Sequence, residues 1–277
     1  MSRQARPPAA PAMAPDRAAG ISAAIERWFP AAARVLPWRT ARSGWAALVS
    51  EAMLQQTQVA RVVPAFEAFM RRFPTPAALA AAPEQEVLAA WQGLGYYRRA
   101  RMLQRAAAVI VAEHDGEVPG DAETLRTLPG VGRYTAGAVA SIAFRQRAPI
   151  VDGNVRRVTA RIEGDARPIE DAAAERETWA RAEALVAAAA DPAILNEGLM
   201  ELGATVCTPA VPRCGTCPVA GHCRAAAAGT AASIPPPKAR GPRQAVHYHV
   251  VLIRRGPSVL MEPRPGRGLW AGLWQPP

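Results

Sequence analysis

Lysine is all but missing from this 277-residue chain: of its 33 basic residues, only Lys238 is not an arginine. Chemistry that needs a lysine amine, Schiff-base formation above all, is therefore excluded from the first 237 residues. Cysteine is scarce too, with four in all, and no secretion signal accompanies them, so a disulfide framework is not expected. Long apolar runs are absent, which excludes a helical membrane span. Met1 to Gly20 mixes Pro, Ala and Arg without the apolar middle of a secretory signal. That stretch reads as a disordered tail over 1–17, and the cytoplasm is the expected compartment. An organellar transit peptide is the alternative, but the prolines spoil the amphipathic helix it needs.

What is present is half hydrophobic (50%), enough for one large or two small domains with real cores. The net charge of +10 and the pI near 10.6 suit a polyanionic partner. That charge is unevenly spread. Leu94 to Arg161 carries eleven Arg against six acids, whereas Ile162 to Glu201 carries ten acids against three Arg. Arg98, Arg99, Arg101 and Arg105 follow Tyr96 and Tyr97, joining rings to phosphate-seeking guanidinium groups, although a solvated helix face explains them as well.

From about Arg17 to Ala228 apolar residues recur at spacings of three and four, with stops at Pro or Gly, so this part reads as all-α. Thr75-Pro76, Pro83-Glu84 and Asp121-Ala-Glu are expected helix starts. Residues 225–244 are rich in Ala, Gly and Pro and read as a semi-extended linker. Beyond it, Val246 to Ile253 and Ser258 to Glu262 have strand character, joined by a turn at Arg254-Arg-Gly-Pro257. The β segment, 245–277, is too short to bury its own core and reads as the incomplete start of a second domain.

Two motifs carry chemistry. Leu128-Pro-Gly-Val-Gly-Arg-Tyr-Thr-Ala-Gly137 sets Gly130 and Gly132 in a tight turn between helical runs, and the second helix begins with free N–H groups able to hold phosphate. A plain turn between packed helices is the competing account. Just downstream come Asp152 and Asn154. The second motif is the cysteine set Cys207, Cys214, Cys217 and Cys223, spaced C-x6-C-x2-C-x5-C. Four thiolates in one loop suit either structural zinc or a 4Fe-4S cluster, and only Cys214-x2-Cys217 has the short spacing typical of zinc pairs.

The cysteine loop, the Leu-Pro-Gly-Val-Gly hairpin and the Asp after it together resemble the helix-hairpin-helix DNA glycosylase superfamily, over about Ala18 to Arg224. Leu48-Val-Ser-Glu-Ala-Met-Leu-Gln-Gln-Thr-Gln58 and Gly93-Leu-Gly-Tyr-Tyr97 resemble its adenine glycosylase (MutY) branch. The resemblance implies a two-lobed all-α fold, with a six-helix module at about 44–149 and a cluster-bearing module built from 18–43 plus 150–224. It also implies a 4Fe-4S cluster on the four cysteines and a C-terminal start of a Nudix-like domain that helps detect 8-oxoguanine. Within that domain, the exposed apolar segment Leu269 to Trp274 is an aggregation hazard.

Cleaving a purine from its sugar needs an acid for the leaving base and an anion for the cationic sugar. Glu51, set among Leu48, Val49, Ala52 and Met53, is expected to stay protonated, and Asp152, before a helix, to stay ionised. The resemblance assigns these residues the same roles and puts Asn154 near the sugar and catalytic water. Relatives that also nick the strand use a hairpin lysine; here that place resembles Tyr134. Gln56 and Tyr96 match intercalating residues, beside the hairpin contacts Gly130 and Gly132. Arg34, Trp38, Leu54 and Glu197 match positions around a flipped adenine, although core packing explains Trp38 and Leu54 equally and a solvated helix face explains Glu197. Gly44-Trp45 departs from the Pro-Tyr common in relatives.

The expected activity is monofunctional hydrolysis of adenine from double-stranded DNA where it faces 8-oxoguanine or guanine. The expected protein is a monomer, associated with the bacterial nucleoid and with no membrane. Two alternatives stay open: an endonuclease III-like glycosylase for another damaged base, and a non-catalytic iron-sulfur DNA-binding protein.

Overall fold

The computed structural model describes residues 13–237, 247, 249–265, 267 and 273–277. Among the described residues the first unit holds thirteen α-helices and three single-turn 3-10 helices; the α-helices are α1 (Pro15–Ala32), α2 (Pro37–Thr40), α3 (Gly44–Leu54), α4 (Val59–Arg72), α5 (Pro76–Ala80), α6 (Glu84–Ala90), α7 (Arg98–Glu113), α8 (Ala122–Leu125), α9 (Arg133–Phe144), α10 (Gly153–Glu163), α11 (Ala172–Ala188), α12 (Pro192–Thr205) and α13 (Arg224–Ala227). Their starts are chemically marked. The side chains of Ser43, Thr75, Asp121, Asp152, Asp171 and Asp191 each accept a bond from a first-turn N–H, satisfying donors that the helix leaves free. None of the described helices is long and apolar enough to cross a membrane.

Two apolar cores form within this unit. One gathers the inward faces of α3 to α9 around Trp91, Phe69 and Met53. The other packs α1, α10, α11 and α12 around Ile21, Ile25 and Leu199. Helix α9 serves both: Ala136, Val139 and Ala140 face the first core and Ala138 the second. Only small side chains fit such a position, and Gly137 is the tightest case. A Cβ there would lie 2.3 Å from the carbonyl oxygen of Pro149, so glycine lets the segment leading to Asp152 press against α9.

Several sequence expectations need correction. The tail does not extend to residue 17, because α1 begins at Pro15 and Met13 is already buried; residues 1–12 lie outside those described. The first part of the expected linker is packed, since Ala225, Ala231 and Ile234 form a small core with Cys223. Arg161 further fixes it by donating to the Ile234 carbonyl at 2.7 Å. Small residues read as linker composition here because alanine suits a tight packing site as readily as a flexible chain.

The second unit, 239–277, holds two short antiparallel pairs: β1 (Arg254–Arg255) with β2 (Ser258–Val259), and β3 (Glu262–Pro263) with β4 (Trp274–Gln275). The expected turn is tighter than the sequence suggests, and Arg254 and Arg255 lie in the hairpin's first strand. Residues 249–253 are exposed and carry no strand, because apolar alternation makes a strand only where a neighbour completes its ladder. Residues 246 and 248, and 269–272 of the Leu269 to Trp274 segment, lie outside the described set, as does Lys238.

Candidate active site

A cavity of about 400 Å³ opens between α3, α9, α12, the start of α10 and the α1–α2 connection. Glu51, Tyr134, Asp152 and Asn154 line it together with Arg34, Trp38, Leu54 and Glu197. Eight residues spread over 164 positions of sequence thus meet in one space. Trp38 does double service, since its ring also packs edge-on against Phe66 at 5.5 Å.

Each carboxylate has its own environment. Glu51 is buried on α3, and burial pushes its carboxyl up to about 7. The Tyr134 hydroxyl hydrogen-bonds to it and works against that shift, while the charges of Asp152 and Glu197 add to it. Asp152 caps α10, its Oδ1 accepting from the Val155 N–H at 2.7 Å and its Oδ2 from Asn154 Nδ2 at 2.9 Å. These bonds favour the anion as the sequence suggests. Burial outweighs them, however, and the carboxyl lies above its usual value. Tyr134 is held well above the ordinary phenol range by burial and then by the Glu51 and Asp152 charges, so it stays neutral. Its hydroxyl also lies 3.4 Å from Met200 Sδ.

The far wall is an ion-pair lattice that sequence reading missed. Glu197 is bound by Arg39 at 3.0 Å and Arg42 at 2.9 Å. Glu201, fully buried, holds Arg34 at 2.6 Å and Arg39 at 2.9 Å. Burial would raise the Glu201 carboxyl, but the hydrogen bonds from Arg34 and Arg39 keep it below its usual value. Glu197 is therefore no solvated helix residue. Only its i, i+4 spacing from Glu201 on α12 could have signalled the lattice, and that spacing alone does not name partners more than 150 residues away.

Arg157 was also missed. It donates to Asn154 Oδ1 at 2.8 Å, Gly203 O at 2.8 Å and Cys207 O at 2.9 Å, tying the capped helix to the cysteine loop.

Beside the cavity lies a groove of about 370 Å³ lined by Gln56, Tyr96, Arg98, Arg99 and the hairpin residues Pro129 to Val131. Gly130 is left-handed, with φ of 79°, as the turn requires. Gly132 is not: at φ −90° and ψ 178° it is extended, so the turn depends on Gly130 alone. Gly132 N-caps α9 without a side-chain bond, leaving first-turn N–H groups open. Of the arginines after Tyr97, Arg101 pairs with Glu84 at 2.9 Å and Arg99 points into backbone carbonyls, so neither is a free phosphate ligand.

Cys207, Cys214, Cys217 and Cys223 line one further cavity, and none of the four is in a disulfide. Arg161, buried, donates to Cys207 Sγ at 3.3 Å. Burial pushes the Cys217 thiol up to about 11, with the three other sulfurs adding to the effect. Among the described residues, no three Cys, His, Asp or Glu side chains are grouped so as to hold a single metal ion.

Residues 49–184 match the family model of the HhH-GPD superfamily base excision DNA repair protein. The chain is 50% identical over 204 residues to the adenine DNA glycosylase of Mycolicibacterium smegmatis, covering 73% of this chain and 68% of that one. To human adenine DNA glycosylase it is 47% identical over 207 residues, spanning 72% of this chain but only 38% of that protein. Among solved structures, a thermostable thymine-DNA glycosylase superposes with a TM-score of 0.68 at 27% identity, over 77% of this chain and 98% of that one. A trapped endonuclease III–DNA covalent intermediate gives 0.61 at 26%, over 78% and 99%.

Proposed function

Because the chain belongs to the adenine DNA glycosylases of the HhH-GPD superfamily, we propose that it hydrolyses the N-glycosidic bond of adenine facing 8-oxoguanine or guanine in double-stranded DNA. The observation that carries this reading is the meeting of Glu51, Tyr134 and Asp152 in one cavity large enough for a flipped base. Near neutral pH Glu51 holds a proton. It gives that proton to the adenine ring as the base leaves, and Asp152 as the anion offsets the positive charge left on the sugar. Water then attacks the sugar, the Glu51 carboxylate accepts its proton, and the acid is restored. Asn154, bonded to Asp152, orients that carboxylate and the water.

The strand itself should stay intact. Tyr134 occupies the hairpin position where a Schiff-base amine would stand, and burial together with two neighbouring carboxylates keeps its phenol neutral. Incubation with duplexes bearing adenine opposite 8-oxoguanine, or thymine glycol, tests both points. Breaks should form only at adenine and only after alkali, and borohydride should trap no covalent adduct. Cleavage at thymine glycol, or a trapped adduct in high yield, would refute the reading.

The four cysteines are proposed to hold a 4Fe-4S cluster, which would supply structural cross-linking of the 207–223 loop. The donor set fits: four cysteine sulfurs line one cavity, half-buried or buried, where thiolates need a compensating cation. Purified protein should contain iron and acid-labile sulfide in equal amounts, and Cys214→Ser should lose both. Stoichiometric zinc without sulfide would overturn the assignment.

A further inference from the structure

Two residues beside the groove hold left-handed backbone without being glycine: Gln56 at φ 57° and Tyr96 at φ 48°. Gln56 lies in the turn from α3 to α4 and Tyr96 in the turn from α6 to α7. Such a conformation persists in non-glycine residues only where surrounding contacts over-determine it. Here one side chain supplies those contacts to both turns.

Arg99 Nη1 donates to the carbonyls of Ala52 at 2.9 Å, Met53 at 2.8 Å and Gln55 at 2.5 Å, all at the open C-terminal end of α3. Its Nη2 donates to the carbonyls of Leu94 at 3.0 Å and Gly95 at 3.1 Å and to the Thr57 hydroxyl at 3.1 Å. The guanidinium centre lies 5.5 Å from the rings of both Trp91 and Tyr96. The planar fork is what allows one residue to reach both turns; an ammonium is a point donor and cannot span them. Arg99 lines the groove rather than the cavity that holds Glu51.

We propose that Arg99 is a positioning residue for duplex engagement: it sets the spacing between Gln56 and Tyr96 so that the two side chains enter the DNA together. The proposal rests on the reading that these two residues enter the duplex. It concerns binding of the strand pair, and bond cleavage proceeds without it.

The test compares single-turnover excision by the full chain as enzyme concentration is varied. Arg99→Lys should raise the concentration giving half-maximal rate about tenfold, with the rate at saturating enzyme within about threefold of the parent. Thr57→Val, which removes only the bridging hydroxyl, should shift the same quantity in the same direction by less, and it decides the matter if Arg99→Lys does not fold. Gln56→Ala and Tyr96→Ala in the same assay separate the two layers of argument. If neither alanine variant weakens binding, the underlying reading fails. If both weaken it while the folded Arg99→Lys, or Thr57→Val in its place, binds like the parent, the clamp fails. A loss confined to the saturated rate, in step with a lowered melting temperature, would mark Arg99 as merely structural and also overturn the proposal.

Discussion

Glu51→Gln is expected to abolish adenine excision, by at least about 10²–10⁴-fold, while leaving duplex binding in place and making the protein harder to unfold at pH 8. The activity loss follows from chemistry: the amide has the shape of the protonated acid but no proton to give and no basic oxygen to take one from water. The parent's single-turnover rate should fall as pH rises through about 7, where Glu51 loses its proton. The stability gain follows from linkage. Burial raises the folded carboxyl from 4.5 to about 7, so the folded chain holds a proton that the unfolded chain releases. Stability therefore declines as pH rises from about 4.5 to 7 and is level above. That difference corresponds to about 3 kcal/mol at pH 8, which the neutral amide does not forfeit. Denaturant titrations at pH 5 and pH 8 measure it; equal differences between parent and variant at both values would refute the burial account.

Asp152→Asn should cost on the order of 10²–10³-fold in the excision rate at saturation, the scale of losing one preorganised electrostatic group. The fold should be almost untouched. Asparagine caps helices as well as aspartate, so the bond from the Val155 N–H survives. The variant carries a second signature. The Asp152 charge helps raise Glu51, so its removal lowers the Glu51 carboxyl, and the residual activity should fall off at a lower pH than in the parent. A residual activity whose midpoint stays fixed would mean that the two carboxylates do not sense each other. Together the two variants separate proton donation from charge stabilisation, because only Glu51→Gln should remove the pH dependence itself.

Much of this site is legible in the residues because its signals are local. A glycine two residues after Leu128, a carboxylate directly before a helix and four cysteines within one loop are each interpretable from near neighbours. Glu51 is legible for a similar reason, since apolar residues on either side announce its burial. The ion-pair lattice of Glu197 and Glu201 is different. Its arginines come from α2 and the connections on either side of it, 155 to 167 positions upstream, and no periodicity on α12 could name them. Arg99 misled for the opposite reason: a run of arginines after two tyrosines looks solvated, yet this one turns inward to satisfy carbonyls that the end of α3 leaves free.

By itself, then, the sequence determined which chemistries this protein can hold. It has no lysine to form a Schiff base in the helical part, it has one set of thiols, and it has two carboxylates in contrasting local settings. Only the tertiary structure decided the states of those groups. Whether Glu51 keeps its proton at neutral pH depends on how α9, α10 and α12 close over it, because desolvation and neighbouring charge are properties of a packed volume. Asp152 shows the same limit, since its helix-capping bonds can be read from the chain while the burial that outweighs them arises from packing between distant elements.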